Sequence, residues 1–511
     1  MNAPLTIRNL SPAALVLKGI ERFEDPNSQQ SRPTAFSFAS ANTASLSPST
    51  SQLEEHTHTF KQQSIHVRLL PFESCTLTPP GLQEDAGISS TLSSANLRLT
   101  IEVSGGERYR IDTNPSYTQK ASQKFVPLAQ SPSHHLTALF HPSKPIPHLS
   151  IHSNDSWDLC KWMSTLPSSL PLSSLSIPGT HNSHTYYRAL PSVRCQNVSV
   201  KSQLENGIRF LDIRVQPSHA TDASKKDLYL VHGAFPISLT GAKYLDPVLK
   251  ACYDFLEQNP SESVLISLKR EGVGSSTDEL LSQVLEQHYI TPNQDKWYVA
   301  SKAPYLGDVR GKLVLVRRYT LHEDLKASPE DHGHGLDATQ WPHNSTHAMH
   351  GPFCVQDFCE VLHPDTIPQK LQYSNEHMIR AAECVAFVPG INTDKTNPVP
   401  SGPLYLNYLS ASNFFRRSCW PENIAKVVNR GIEEWLCMGH HLEDPLTTPA
   451  EPGRTSTDVA TEATVRKAKR GDGSTGIVVM DCVGEGGDWD LVKMIIGMNM
   501  GVRLKTETET S

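Results

Sequence analysis

Eight short apolar runs, set between helix-period and polar stretches from about residue 157 onward, constrain the fold of this 511-residue chain more than any other feature. They are Leu175–Ile177, Phe210–Val215, Leu228–His232, Val264–Lys269, Leu313–Arg317, Phe353–Val355, Leu404–Leu409 and Ile477–Asp481. Runs this short read as buried strands. Helical periodicity falls between several of them, over Leu245–Gln258, Asp278–His288, Ile424–Cys437 and Asp488–Met498. Parallel strands need crossovers, and a closed ring leaves no edge unpaired. The pattern therefore predicts an α/β fold, a (β/α)8 TIM-like barrel, over residues 153–511. Between the second and third runs the segment Gln216–Asp227 is polar and has no helical period, which predicts a hairpin-like irregularity there. Two long stretches, 320–351 (rich in histidine) and 441–473 (rich in Thr, Pro, Glu and basic residues), read as loops.

Residues 1–152 follow a different pattern. Leu97, Leu99, Ile101 and Val103 alternate with polar residues, and Gly105-Gly106 then leads to Tyr109 and Ile111, a hairpin signature. Ile65, Val67 and Leu69 alternate likewise, and Ser/Thr/Pro-rich segments such as Ser28–Ser51 separate the runs. A small all-β, sandwich-like domain with long loops is expected.

Composition narrows the class. The chain is 38% hydrophobic and 19% charged, with a net charge of -7 and no basic stripe, so no nucleic-acid partner is expected. The residues from Met1 to Leu17 do not read as a secretory signal, so none is expected, and no segment approaches the roughly 20 apolar residues of a membrane span. The ten cysteines show no CxxC pairing. A cytoplasmic protein with reduced thiols and peripheral membrane contact is expected.

A barrel of this kind gathers its site at the carboxyl ends of its strands. Those ends carry His181, Asp212 with Arg214, His232, Lys269, Arg318, Asp357 and Asp481. Each has an ordinary structural explanation when taken singly: Arg214 pairing with Asp212, or Lys269-Arg270-Glu271 as a solvated turn. Together they supply two imidazoles and a guanidinium, which suits proton transfer and charge stabilisation at a phosphodiester. No HExxH or paired-cysteine arrangement is present. His332, His334, His343, His347 and His350 read as part of a solvated loop, and no metal site is expected.

The blocks SIPGTHNS, NGIRFLDIRV, LYLVHGAF, NPSESVLISLKRE, LGDVRGKLVLVRRY, CVQDF, LNYLSASNF and GIVVMD resemble, in order, those of the phosphatidylinositol-specific phospholipase C family, of the bacterial X-domain type. The resemblance covers roughly residues 157–505. It implies a phosphoric diester hydrolase that acts on an inositol phospholipid at a membrane surface and yields diacylglycerol and an inositol cyclic phosphate. It implies His181 as general base toward the inositol 2-hydroxyl, Asp481 as the carboxylate orienting it, and His232 as general acid. Arg214, beside Asp212, would stabilise the phosphorane, and Asn182, Lys269, Arg318 and Asp357 would line the substrate site. Asn182 stands where bacterial relatives carry Asp, and Cys359 where they carry a ring-stacking tyrosine. Calcium, used by eukaryotic relatives, is disfavoured because Arg214 and Lys269 occupy positions where those enzymes place acidic ligands. No cofactor is expected. The alternatives are a metal-dependent glycerophosphodiesterase-like enzyme and an inositol-lipid-binding protein with weakened catalysis.

Overall fold

The computed structural model of the chain describes residues 4–24, 60–77, 95–113, 123–128, 130, 132–141, 147–154, 158–190, 192–326, 333–388, 392–393, 401–444 and 463–507. The Ser28–Ser51 segment, His332 and residues 445–462 of the second long stretch lie outside the described residues. Two compact units emerge: 1–154 with 442–468, and 155–441 with 469–511.

The first unit consists of two β-sheets. One runs in the order Ala463–Arg466, Ser74–Leu77, Leu5–Leu10, His148–Ser153, Leu136–His141, Gln123–Lys124. The other runs Phe60–Leu69, Leu15–Glu24, Ala95–Val103, Arg108–Thr113, Val126–Pro127. Leu5, Ile7 and Ile151 from the first sheet and Leu17, Ile20 and Leu99 from the second share one buried core, as in a sandwich. The Gly105-Gly106 turn forms as expected, both glycines taking positive φ, and it joins Ala95–Val103 antiparallel to Arg108–Thr113. Ala463–Arg466 departs from the loop reading. It lies antiparallel on Ser74–Leu77 with Val465 opposite Cys75, and so covers the backbone groups of what would otherwise be a sheet edge.

The second unit carries strands β1 (Ile177–Thr180), β2 (Phe210–Pro217), β3 (Leu228–Leu230), β4 (Val264–Arg270), β5 (Leu313–Arg318), β6 (Ala348–His350), β7 (Phe353–Gln356), β8 (Leu404–Tyr408) and β9 (Ile477–Met480). Seven of these are parallel neighbours in the order β5-β4-β2-β1-β9-β8-β7. The expected ring of eight parallel strands is not what forms. The third apolar run, β3, lies antiparallel on β2, with Leu230 opposite Val215 and Leu228 opposite Pro217. Its connection, residues 218–227, is too short for a parallel crossover, which takes a dozen or more residues. Among the described residues no ladder closes the ring. At the seam, Gly351 lies against the Asp337 carbonyl so closely that a Cβ there would sit 2.5 Å from the oxygen.

The sheet is nevertheless strongly curled. Five strand spacings separate β5 from β8, about 24 Å in a flat sheet. Yet Arg318, ending β5, donates through Nη1 to the Tyr408 hydroxyl ending β8, at 3.1 Å. This curl brings the strand ends together. Close approach at its centre needs Gly179, where a Cβ would lie 2.8 Å from Phe210 Cβ.

Helices α1 (Asp246–Gln258), α2 (Asp278–Leu285), α3 (Ile367–Glu383), α4 (Pro421–Met438) and α5 (Asp490–Gly497) include the four that periodicity marks. The inner face of α4 is Ile424, Ala425, Val428, Ile432 and Leu436, a 3.6-residue stripe. Helix α3 escapes the sequence reading because its buried face includes Lys370, Ser374 and His377, which blunts the apolar period. No described helix is long and apolar enough to cross a membrane.

Candidate active site

His181 follows β1 directly, and its amide donates to the Met480 carbonyl at 2.9 Å, which ties it to the end of β9. The next residue, Asn182, turns the chain at φ +42, a left-handed conformation that asparagine accepts more readily than most side chains. Asp481 follows β9, and its Oδ1 lies 2.9 Å from His181 Nδ1. The Gln196 side-chain amide donates to both the His181 and Met480 carbonyls, at 2.7 and 2.9 Å. The histidine backbone is thus held between two strands.

His232 lies just beyond β3. Its Nδ1 donates to the Val193 carbonyl at 2.8 Å, leaving Nε2 as the open ring atom. The rings of His181 and His232 are 6.4 Å apart and nearly perpendicular. Two imidazoles at this spacing face one common space. Because β3 doubles back on β2, the His232 position comes from a hairpin rather than from a barrel strand.

Beside the histidines stands a wall of cations. Arg214 donates to Asp212 Oδ2 at 3.1 Å and to Glu271 Oε1 at 2.7 Å. Lys269 lies 3.4 Å from Glu271, and Arg318 lies 3.4 Å from Asp212 Oδ1. The Arg318 guanidinium also stacks 4.1 Å above the Trp341 ring, whose Nε1 donates to Asp357 Oδ2 at 3.2 Å. His181, His232, Asp481, Asp212, Arg214, Lys269, Arg318 and Asp357 therefore belong to one connected neighbourhood. Asn182 is fully buried, and its amide meets His181 Nε2 at 3.1 Å and Cys195 Sγ at 3.7 Å, so it sits on the ring nitrogen that Asp481 does not hold.

Electrostatics set the protonation states. Burial works against a charged His181. The Asp481 carboxylate, then the Cys195 sulfur, outweigh it and raise the imidazole to about 10. Burial, then the His181 and Arg214 charges, hold His232 below the ordinary imidazole range. Burial would raise Asp212, but Arg214 and Arg318 overcome it and keep the carboxylate ionised far below the usual range. Burial likewise opposes charge on Glu271, and Arg214 and Lys269 bring it down to about 2. Lys269 is lowered by burial and by the neighbouring arginines. With the Asn182 amide as placed, Nδ2 donates to His181 Nε2, the pattern of a neutral ring carrying its proton on Nδ1. A half-turn of the amide would present Oδ1 to a protonated Nε2 instead.

Four further participants escape the sequence reading. Glu271 is the common partner of Arg214 and Lys269 and accepts from the Gly233 amide at 2.9 Å; a Lys-Arg-Glu run read as a solvated turn hides it. Tyr408, Trp341 and Cys195 sit in an apolar strand, a long loop and an irregular segment, and only the tertiary fold brings them to the site. Cys359 donates its amide to Asn344 Oδ1 at 2.9 Å. At the rim, Phe235 stacks on Phe414 with ring centroids 4.9 Å apart, and Phe415 is 93% exposed. Ile237, from the same sequence block, is buried.

Residues 168–319 match the family model for the X domain of phosphatidylinositol-specific phospholipase C. That span contains His181, Asn182, Asp212, Arg214, His232, Lys269 and Arg318, while Asp357 and Asp481 lie beyond it. Over 167 residues the chain is 35% identical to 1-phosphatidylinositol phosphodiesterase of Listeria monocytogenes, covering 30% of this chain and 48% of the relative. Over 209 residues it is 27% identical to the protein of the same name from Staphylococcus aureus, covering 39% and 62%. The chain thus spans less than two thirds of the length of these relatives. Phosphatidylinositol-specific phospholipase C from Listeria monocytogenes superposes with a TM-score of 0.46 at 23% identity, over 67% of this chain and 99% of that one.

Proposed function

We propose that this chain, which carries the X domain of the phosphatidylinositol-specific phospholipase C family, cleaves the phosphodiester of phosphatidylinositol or a related inositol phospholipid. The products are diacylglycerol and an inositol 1,2-cyclic phosphate. The observation that carries the reading is the perpendicular His181–His232 pair, one ring on Asp481, with Arg214 among its neighbours.

Each group has a task that its surroundings suit. His181, held through Nδ1 by Asp481, takes the 2-hydroxyl proton at Nε2, where the Asn182 amide gives way to the substrate hydroxyl, as that oxygen attacks phosphorus. His232 returns a proton through Nε2 to the departing glycerol oxygen. The nucleophile belongs to the substrate itself, so attack is intramolecular and gains from positioning. Arg214, Lys269 and Arg318 set three cations beside Asp212 and Glu271, with Asp481 held on His181 and Asp357 on Trp341, to meet the charge that builds on phosphorus. Buried ion pairs hold the guanidinium groups in place before substrate arrives, so little reorganisation accompanies the reaction. Arg318 and Asp357, linked through Trp341, suit the hydroxyls of the inositol ring.

The Asp481 carboxylate favours the pair's one proton on His181, whereas catalysis uses it on His232. The two arrangements contain the same number of protons, so both exist over the same pH range, and turnover passes through the second. The Asn182 amide can satisfy His181 in either state.

The donor set favours catalysis without a metal. Calcium takes several oxygen ligands, and the Asp212 and Glu271 oxygens that could supply them already meet Arg214, Arg318 and Lys269. The exposed Phe414-Phe415 rim, stacked on Phe235 just past His232, suits transient contact with a bilayer.

Turnover of lipid vesicles in excess chelator tests this function. Diacylglycerol should appear from phosphatidylinositol vesicles at the same rate with and without chelator, and not from phosphatidylcholine vesicles. Activity abolished by chelator would favour a metal-dependent phosphodiesterase. Vesicle binding with no diacylglycerol would make the chain a lipid-binding protein.

A further inference from the structure

A second cluster of chemistry-bearing side chains lies outside the histidine pair and takes no part in the proposed reaction. It brings together His347, in the turn before β6, Cys354 on β7 and His377 on α3. One donor atom from each residue falls within 4.8 Å of the others, and His347 Nδ1 lies 3.3 Å from Cys354 Sγ. We propose that these three residues bind a thiophilic divalent cation, zinc, through two imidazole nitrogens and a thiolate.

Two features beyond proximity support the site. First, His377 is fully buried, and its Nε2 meets the Cys354 carbonyl at 3.1 Å while Nδ1 has no hydrogen-bond partner. With Nε2–H donating to that carbonyl, Nδ1 carries an open lone pair. Metal-binding histidines show this arrangement, one ring nitrogen fixed by a backbone oxygen so that the other points at the metal. Second, the required movement is small. Tetrahedral zinc with nitrogen and sulfur ligands sets donor atoms about 3.3–3.6 Å apart. The donor atoms lie within 4.8 Å of one another, and His347 Nδ1 already stands 3.3 Å from Cys354 Sγ, so closing asks for a shift of about an ångström at most.

Arg380, on the same helix as His377, pairs with Glu376 at 3.7 Å, so the nearby cation has its own counter-charge. Binding replaces the thiol proton with zinc; the sulfur keeps its electron pair and the proton passes to solvent. Three protein ligands would leave a fourth position for water.

The consequence would be mechanical. Residues 339–350 include Trp341, which stacks on Arg318 and donates to Asp357, and Asn344, which accepts from the Cys359 and Glu360 amides. Zinc would clip this segment to β7 and α3 and hold that side of the candidate site in place. The metal site itself does not depend on the proposed reaction.

Cobalt titration of the metal-free full chain tests the site. Wild type should show thiolate-to-cobalt charge-transfer absorption in the near ultraviolet, saturating at one equivalent and lost when zinc is added. His347→Ala, which changes an exposed side chain, should weaken cobalt binding more than about tenfold, the smallest loss seen when even an outer-shell partner is removed. Its far-ultraviolet circular dichroism should match wild type. Cys354→Ser should remove the charge-transfer absorption. No such absorption in wild type, unchanged affinity in His347→Ala, or absorption persisting in a folded Cys354→Ser protein would each overturn the proposal. The last result would move the metal to another thiol, such as Cys195 beside His181 and Asp481.

Discussion

His181→Ala should lower turnover of phosphatidylinositol by about 10⁴-fold or more, roughly 5.5 kcal/mol of transition-state stabilisation. Both the proton acceptor and its link to Asp481 disappear with the ring, and no second base stands in the same place. Cys195 Sγ lies within 4.8 Å of the His181 and Asp481 donor atoms but is engaged by the Asn182 amide, and His184 donates to the Val231 carbonyl with its ring buried. Burial lowers the His184 imidazole to about 4, so it stays neutral and committed to the backbone. Vesicle binding should survive, because the exposed aromatic rim and the cation wall are untouched. The loss should therefore appear in kcat, with little change in KM. Near-wild-type kcat in His181→Ala would remove the imidazole from the chemistry.

Asp481→Asn carries the second large effect and a distinct signature. The carboxylate orients His181 and shares the charge of its imidazolium, so turnover should fall by about 10³–10⁴-fold with the ring still present. The pH profile separates this role from simple damage. The dependence of kcat/KM on pH reports ionisations of the free enzyme. Below the His232 ionisation, itself lowered from the ordinary range, both rings are protonated and no base remains. Above the His181 ionisation, near 10, both rings are neutral and no acid remains. Wild type should therefore give a broad bell, with its acid limb below about 6.5 and its alkaline limb near 10. Loss of the Asp481 charge makes protonated His181 less favourable, so its ionisation falls and the alkaline limb moves to lower pH. The acid limb should not rise, because that ionisation still adds a second proton beside a charged ring, now without the Asp481 carboxylate. An alkaline limb that stays near 10 in Asp481→Asn would show that Asp481 does not govern the pair.

Much of this site is legible in the sequence because its residues lie where strands end. His181, Lys269, Arg318 and Asp481 each close an apolar run while Asp212 and Arg214 alternate within one, and curling the sheet gathers them whether or not the ring is complete. The closed ring misleads for a local reason. Leu228–Leu230 has the composition of a buried strand, and only the ten residues before it reveal that the chain must double back on β2. His232 still reaches the site, since a hairpin on β2 ends beside the residues that β2 presents. Glu271, Trp341 and Tyr408 are harder to read because their meaning lies in partners far along the chain. Trp341 stacks on Arg318, and Tyr408 accepts from the same guanidinium across five strand spacings. The His347–Cys354–His377 cluster is hidden twice. His347 reads as one histidine among many in a polar loop, and α3 carries its buried polar residues without a clear apolar stripe.

Phosphorus NMR of the reaction with phosphatidylinositol in chelator tests most directly whether two facing imidazoles drive an intramolecular displacement. The prediction is that the five-membered cyclic phosphodiester resonance appears first and grows as the lipid signal falls, with any inositol monophosphate following later. A monophosphate formed from the outset with no cyclic species would mean that water, and not the inositol hydroxyl, attacks phosphorus, and would contradict the roles given to His181 and His232.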